Sequence, residues 1–226
     1  MEASLNMDIF LEQFFDWKIM VEVFPLLMKG LLVTLQICLV TIPIGLVTGM
    51  AIAIVSTSRR QAVRIAAATF VDFFRAMPPL VILIFSYSGL PFFGVRLSPF
   101  VAVSLSLVLS MTSYFGEVFR AGLESVGKGQ RDAAASTGLG PVTTLVHIVI
   151  PQGVRNVLPD LVSNIVEVVK LTSLASVVAL PELLYNADMA RAATYNATPM
   201  VLAALIYLAL LWPVVRMLSR LEHRTR

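Results

Sequence analysis

The chain has 226 residues, 58% of them hydrophobic and 14% charged, with a net charge of +3 and a mean hydropathy of +0.84. Soluble domains carry about 25% charged residues, so this composition excludes an ordinary water-soluble globule. The one cysteine, Cys38, excludes an internal disulfide, and no nucleic-acid partner is expected.

Several apolar runs exceed the ~18 residues that mark a membrane-spanning helix. The start of the chain is acidic and the first apolar run is too long for a signal h-region, so no secretory signal is expected. That run, Leu31 to Val55, follows Lys29-Gly30 and ends before Ser58-Arg59-Arg60. Its Pro43, Gly45 and Gly49 are tolerable, because spanning helices carry more Gly and Pro than soluble ones. Gln61 to Phe74 is amphipathic and starts among basic residues. It is predicted to lie near the cytoplasmic surface and to feed a second span, Pro78 to Phe93. Pro99 to Phe119 is the third span and Leu158 to Leu180 the fourth, interrupted by Glu167, Lys170, Thr172 and Ser173. Ala197 to Val215 is the fifth, followed by a basic tail from Leu218 to Arg226. The expected fold is an all-α membrane protein with five spanning helices in one domain, residues 1–226.

Five spans place the termini on opposite sides. Arg59, Arg60, Arg64, Arg75, Arg120, Lys128, Arg131, Arg155, Arg216, Arg220, Arg224 and Arg226 fall on one side. Only Lys18, Lys29, Arg96 and Arg191 fall on the other. The positive-inside rule then puts the C-terminus in the cytoplasm and the N-terminus outside. Five acids in the first 22 residues (Glu2, Asp8, Glu12, Asp16, Glu22) agree with an outside tail. No internal repeat is visible, which argues against an inverted-repeat secondary transporter.

The segment from Glu117 to Pro151 is polar, charged and punctuated by glycine. A connection that long is uncommon unless it is functional or carries its own secondary structure. It reads as helix, turn, helix over about 128–150. Asp132 to Thr137 are helix formers, Gly138 supplies a stop, and Pro141 suits the first turn of a new helix. Asp132-Ala133-Ala134, then Gly138, then nine residues, then Ile148-Val149-Ile150-Pro151 resembles the EAA loop of bacterial ABC importer permeases. Asp132 stands for the pattern's Glu and Ile150 for its Leu. Phe74 to Leu80 resembles the FRGTPLL string of the polar amino acid branch (His, Glu, Gln, Arg and opine permeases), and Tyr114, Glu117, Phe119, Arg120, Ala121 and Gly122 resemble its AYxxEIFRAG. Gly129-Gln130, Pro151-Gln152 and Lys170-Leu171-Thr172-Ser173-Leu174 resemble GQ, PQ and KxTSL. By itself Asp132 to Thr137 also suits a solvated surface helix; five motifs in order at matched spacing weigh against that.

The resemblance implies a type I (MetI-like) permease fold in a bacterial inner membrane and an amino acid substrate. It implies two ABC ATPase subunits docked on the hairpin, through Gly129, Gln130, Asp132, Ala133, Ala134, Gly138 and Pro151. A second identical or paralogous permease and an outside solute-binding protein complete the assembly. The chain contains no GxxxxGK[ST] phosphate loop, so ATP and Mg are expected on the partner ATPase, with no cofactor bound here.

Among ionisable residues, Glu167 and Lys170 lie deepest, three apart on one helical face. Three readings stay open: Glu167 contacts a substrate ammonium or guanidinium, the two neutralise each other, or Lys170 caps carbonyls at a helix break. Thr172 and Ser173 suit either backbone carbonyls at a kink or substrate. Arg75, before Pro78-Pro79, is either a cavity-lining cation for an α-carboxylate or an interface anchor, with Asp72 as a possible partner. Glu117 and Arg120 read as structural supports of the hairpin's entry. A cationic amino acid and a glutamate- or glutamine-type substrate remain open, as does an opine. His147 and His223 have no metal-ligand spacing. An intramembrane serine protease is disfavoured because Ser86-Tyr87-Ser88-Gly89 has no intramembrane His to answer it. A partner-free channel or carrier leaves the hairpin without a purpose.

Overall fold

A computed structural model describes residues 2–58 and 60–225, and of 2–6 and 218–225 the backbone alone. Arg59 and Arg226, and the side chains of Glu2, Arg220, His223 and Arg224, invoked above, lie outside the described residues. Everything described is helix or connection. The order is α1 (Glu2–Phe14), α2 (Trp17–Ser56), α3 (Gln61–Ala76), α4 (Pro79–Ile84), α5 (Pro99–Ser125), α6 (Lys128–Ser136), α7 (Pro141–Thr144), α8 (Ile150–Asn156), α9 (Leu158–Leu171), α10 (Leu183–Thr194) and α11 (Thr198–Thr225). Four stretches are long and apolar enough to cross a membrane: Met7–Ser56, Pro99–Ser125, Leu158–Val178 and Thr198–Met217. A fifth span arises when Gln61–Ala76 and Pro79–Phe93 are taken together across their 97° bend. The bend follows from Pro78 and Pro79, which end α3 at an extended Met77 and start a new helix.

Helices α2 and α5 form the centre and run parallel. Gly45 of α2 meets Met111 and Phe115, Gly49 meets Phe115 and Gly116, and Thr48 Oγ1 lies 2.6 Å from Thr112 Oγ1. A Cβ at Gly49 would fall 2.7 Å from Phe115 Cβ. In lipid, where tails solvate apolar side chains as well as protein does, such close backbone packing is what holds helices together. Helix α3 runs antiparallel to the C-terminal half of α5 and packs against it. α10 closes over the N-terminal part of α2, where Leu183, Ala187 and Ala190 pack with Val23 and Leu27.

Side-chain caps set the N-terminal ends of α2 and α10. Asp16 caps α2 by accepting from the amides of Lys18 (2.8 Å) and Ile19 (3.3 Å). The fully buried Glu182 caps α10, accepting from the Leu184 and Tyr185 amides at 2.9 and 2.7 Å and from the Tyr207 hydroxyl at 3.3 Å.

Candidate coupling hairpin and charged cleft

The polar segment folds as the hairpin that its residues predict. α6 ends in a left-handed Gly138 (φ +78°). The Gly138 amide donates to Ala135 O (3.0 Å) and the Leu139 amide to Ala134 O (3.1 Å), the pair of bonds that defines a Schellman cap. Pro141 then opens α7. Ala134 is buried against the protein, while Asp132, Ala133 and Ala135 face outward. Asp132 has no ion-pair partner among the described residues. Leu139, Val142 and Val146 add exposed apolar surface to the hairpin. Gly129 and Gln130 lie in α6, and Pro151 in α8, where Gln152 Nε2 reaches Gln130 Oε1 at 3.5 Å.

The hairpin is fastened to α5. A Cβ at Gly122 would lie 2.6 Å from Gly153 O, so the α5 and α8 backbones touch. Asn156 Nδ2 donates to Ser125 Oγ (2.8 Å), and Arg131 Nη2 donates to Leu123 O (2.9 Å).

One helical turn further up α5, a cleft of about 270 Å³ opens between Arg75 of α3, Tyr114, Glu117 and Val118 of α5, and Asp160, Ser163 and Asn164 of α9. Glu117 is already engaged: Arg120 donates to its two oxygens at 2.6 and 3.0 Å and holds Glu124 at 2.7 Å. Arg75 is held loosely, with Nη1 4.0 Å from Glu117 and Cζ 5.9 Å from the Tyr114 ring centre. Its guanidinium therefore keeps donors for an anion. Opposite it, Asp160, Ser163 and Asn164 make no side-chain hydrogen bond among the described residues. The cleft thus presents an available cation on one wall and an available carboxylate with polar neighbours on the other. A second cleft of about 390 Å³, lined by Ser56, Arg64, Asp72, Arg120 and Glu124, shares Arg75 and Glu117 with the first.

The other substrate-path candidates lie elsewhere. Lys170 Nζ donates to Glu167 Oε2 at 2.6 Å, and both are about half exposed outside the cleft, which is the mutual-pairing alternative. Thr172 Oγ1 donates to Val169 O and Ser173 Oγ to Lys170 O, each at 2.7 Å, so both hydroxyls serve the change from α9 to a 3₁₀ turn. Asp72 is not the partner of Arg75; that partner is Glu117, brought in by the packing of α3 on α5. Sequence reasoning passed over Asp160, Ser163 and Asn164. Their signal was present, since positions i, i+3 and i+4 share one face of a helix.

Residues 41–226 match the family described as binding-protein-dependent transport system inner membrane component. The chain is 35% identical over 200 residues to a probable amino-acid ABC transporter permease, YckA, of Bacillus subtilis, covering 88% of each. It is 34% identical over 202 residues to the probable glutamine ABC transporter permease GlnP of the same organism, covering 88% of this chain and 93% of that one. Among solved structures, an amino acid ABC transporter crystallised with histidines superposes with a TM-score of 0.84 at 30% identity, covering 92% of this chain and 98% of that one.

Proposed function

The chain belongs to the family of binding-protein-dependent transport system inner membrane components and is a non-catalytic permease subunit of an amino acid ABC importer; from that premise we propose that it moves a polar, neutral amino acid of the glutamine type into the cytoplasm by alternating access. The cleft beside Arg75 carries this reading. An α-carboxylate pairs with Arg75, whose donors are not consumed by Glu117. The α-ammonium pairs with Asp160, and Ser163 and Asn164 supply hydrogen bonds to a polar side chain. Among the described residues that line the cleft, Asp160 is the one carboxylate no cation engages, because Glu117 is spent on Arg120. A cationic side chain would need a second, so a zwitterion with a neutral side chain fits better than an arginine-like substrate.

Two ATPase subunits dock on the hairpin, with Asp132 and the exposed Ala133 facing them and Gly138 setting the angle of the turn. A paired permease completes the path, and a binding protein delivers ligand from outside, where the N-terminus lies. ATP binding moves the hairpins and biases the spans between inward-open and outward-open states.

The test is uptake into proteoliposomes containing the chain, its partner ATPase and binding protein. Arg75→Gln and Asp160→Asn are expected to raise the KM for glutamine at least tenfold, with ATP hydrolysis in the absence of ligand retained. Wild-type KM in both variants would sink the cleft assignment. Preferred uptake of arginine would move the substrate to the cationic class.

A further inference from the structure

Helix α1 carries Met7, Phe10, Leu11 and Phe14 at i, i+3, i+4 and i+7, one apolar face of a helix. Asp8 and Glu12 lie away from that face. Met7, Phe10 and Leu11 are 58%, 47% and 47% exposed, so the fold leaves the face uncovered. The helix is nevertheless held in place. Asn196 Nδ2 donates to Glu12 O (2.9 Å), the Ala197 amide to Gln13 O (3.0 Å), and the Asp16 amide to Thr198 Oγ1 (3.0 Å).

Those bonds fix its depth. Thr198 is the first residue of α11, whose stretch Thr198–Met217 is apolar enough to cross a membrane. The end of α1 therefore sits at the outer rim of the hydrocarbon core. Exposed Phe15, Trp17 and Tyr195 gather at the same level, where aromatic belts form. The 40 residues of α2 measure about 60 Å, twice the thickness of a hydrocarbon core, and join the end of α1 in one apolar stretch, Met7–Ser56. The exposed apolar surface continues along the chain through Val21 and Phe24 of α2 into the part that meets lipid.

We propose that α1 is a membrane-surface helix, with Met7, Phe10, Leu11 and Phe14 seated in the headgroup–acyl boundary of the outer leaflet and Asp8 and Glu12 in water. Its seat is apolar burial, since acids on the polar face gain nothing from anionic headgroups. It pins the outer ends of α2 and α11 to one depth. This rests on α2 and α11 being spans, not on the identity of the substrate.

The experiment uses the full chain with its ATPase in nanodiscs, in a Cys38→Ala background. Nitroxides are attached one at a time to Met7→Cys, Leu11→Cys, Asp8→Cys and Glu12→Cys. Collision with oxygen, which partitions into lipid, is compared with collision with a water-soluble nickel chelate. The oxygen-to-nickel ratio is expected to be at least fivefold higher at Met7 and Leu11 than at Asp8 and Glu12, and the same in phosphatidylcholine alone as with phosphatidylglycerol added. Free nickel access at all four sites would overturn the proposal in favour of a helix in water. Low access to both reagents at Met7 and Leu11 would overturn it in favour of a protein partner, such as the second permease or the binding protein. Retained ATP hydrolysis identifies variants that have kept the fold, and the measurement needs no transport, so its failure is separate from failure of the importer reading.

Discussion

Replacing Gly122 with alanine tests whether α8 grips α5 through backbone contact. The new Cβ would lie 2.6 Å from Gly153 O and 2.9 Å from Val157 Cγ2, against an ordinary contact that begins at 3.4 Å. The closest obstacle is a main-chain carbonyl, so no rotamer change clears it. Helix α8 must retreat by about 0.8 Å, or α5 must bend. Overpacking of this kind costs about 1–3 kcal/mol, and each kcal/mol lowers the melting midpoint of a chain this size by about 2–4 °C. Gly122→Ala is therefore expected to melt several degrees early and to lose part of the stimulation of ATP hydrolysis by ligand-loaded binding protein. Gly153→Ala meets the Gly122 carbonyl at 2.9 Å and should behave alike. Gly140→Ala is the control, because nothing lies within 4 Å of its Cβ and its φ is −67°. Melting and stimulation in Gly122→Ala equal to the wild type would refute the clamp.

Three further outcomes follow from the same geometry. Gly138→Ala places a Cβ at φ +78°, which costs about 1–2 kcal/mol; hydrogen exchange at the Leu139 amide, which closes the cap on Ala134 O, should accelerate. Glu182→Ala removes the cap of α10 and one hydrogen-bond partner of the Tyr207 hydroxyl. A lost cap of ~1 kcal/mol and a lost hydrogen bond of about 0.5–1.5 kcal/mol give about 1.5–2.5 kcal/mol in thermal unfolding, and Glu182→Gln should lose less. If Glu167 and Lys170 only neutralise each other, the pair Glu167→Gln with Lys170→Met keeps the wild-type KM for uptake; a KM raised tenfold in that pair would return Glu167 to the substrate path.

Local chemistry was the legible part. Gly138 and Pro141 announce the turn of the hairpin because their backbone preferences act within a few residues. The prolines after Met77 announce the break between α3 and α4 for the same reason. The N-terminal part of α2 was hidden. Lys18, Glu22 and Lys29 interrupt the apolar run, yet all three are exposed while Val23, Leu27 and Gly30 form a buried stripe. A run of hydropathy averages over faces that the helix keeps apart. The cap of α10 was hidden because Glu is not among the favoured capping residues. The cleft was hidden by distance along the chain. Arg75 has a tempting Asp72 three residues back, but its contact is with Glu117 on another helix. Likewise Glu167 and Lys170 drew notice as the deepest charges, and local pairing satisfies them, whereas the unpaired Asp160 sits nearer the helix start.

The clamp and the cleft share one helix. Tyr114, Glu117, Arg120 and Gly122 fall within nine residues of α5, about 12 Å of rise. No proline interrupts α5 after its first turn, and Phe115, Phe119 and Leu123 are buried along it, so it moves as a rod. A displacement delivered by the hairpin to Gly122 therefore reaches Glu117 undiminished. The neighbouring elements are built differently. α3 breaks from α4 by 97° directly after Arg75, and α9 gives way to a 3₁₀ turn at Thr172. These breaks can absorb a motion that α5 cannot. Within the charge cluster, Arg120 and both its acids ride on α5 and travel together, while Arg75 belongs to α3. The 4.0 Å contact between Arg75 and Glu117 is thus both the loosest in the cluster and the one that crosses from the rod to the jointed span. If the ATPase drives the hairpin as proposed, this contact is the one expected to part, so that Arg75 faces Glu117 in one state and the substrate carboxylate in the other; an Arg75→Cys/Glu117→Cys crosslink that leaves transport intact would refute it.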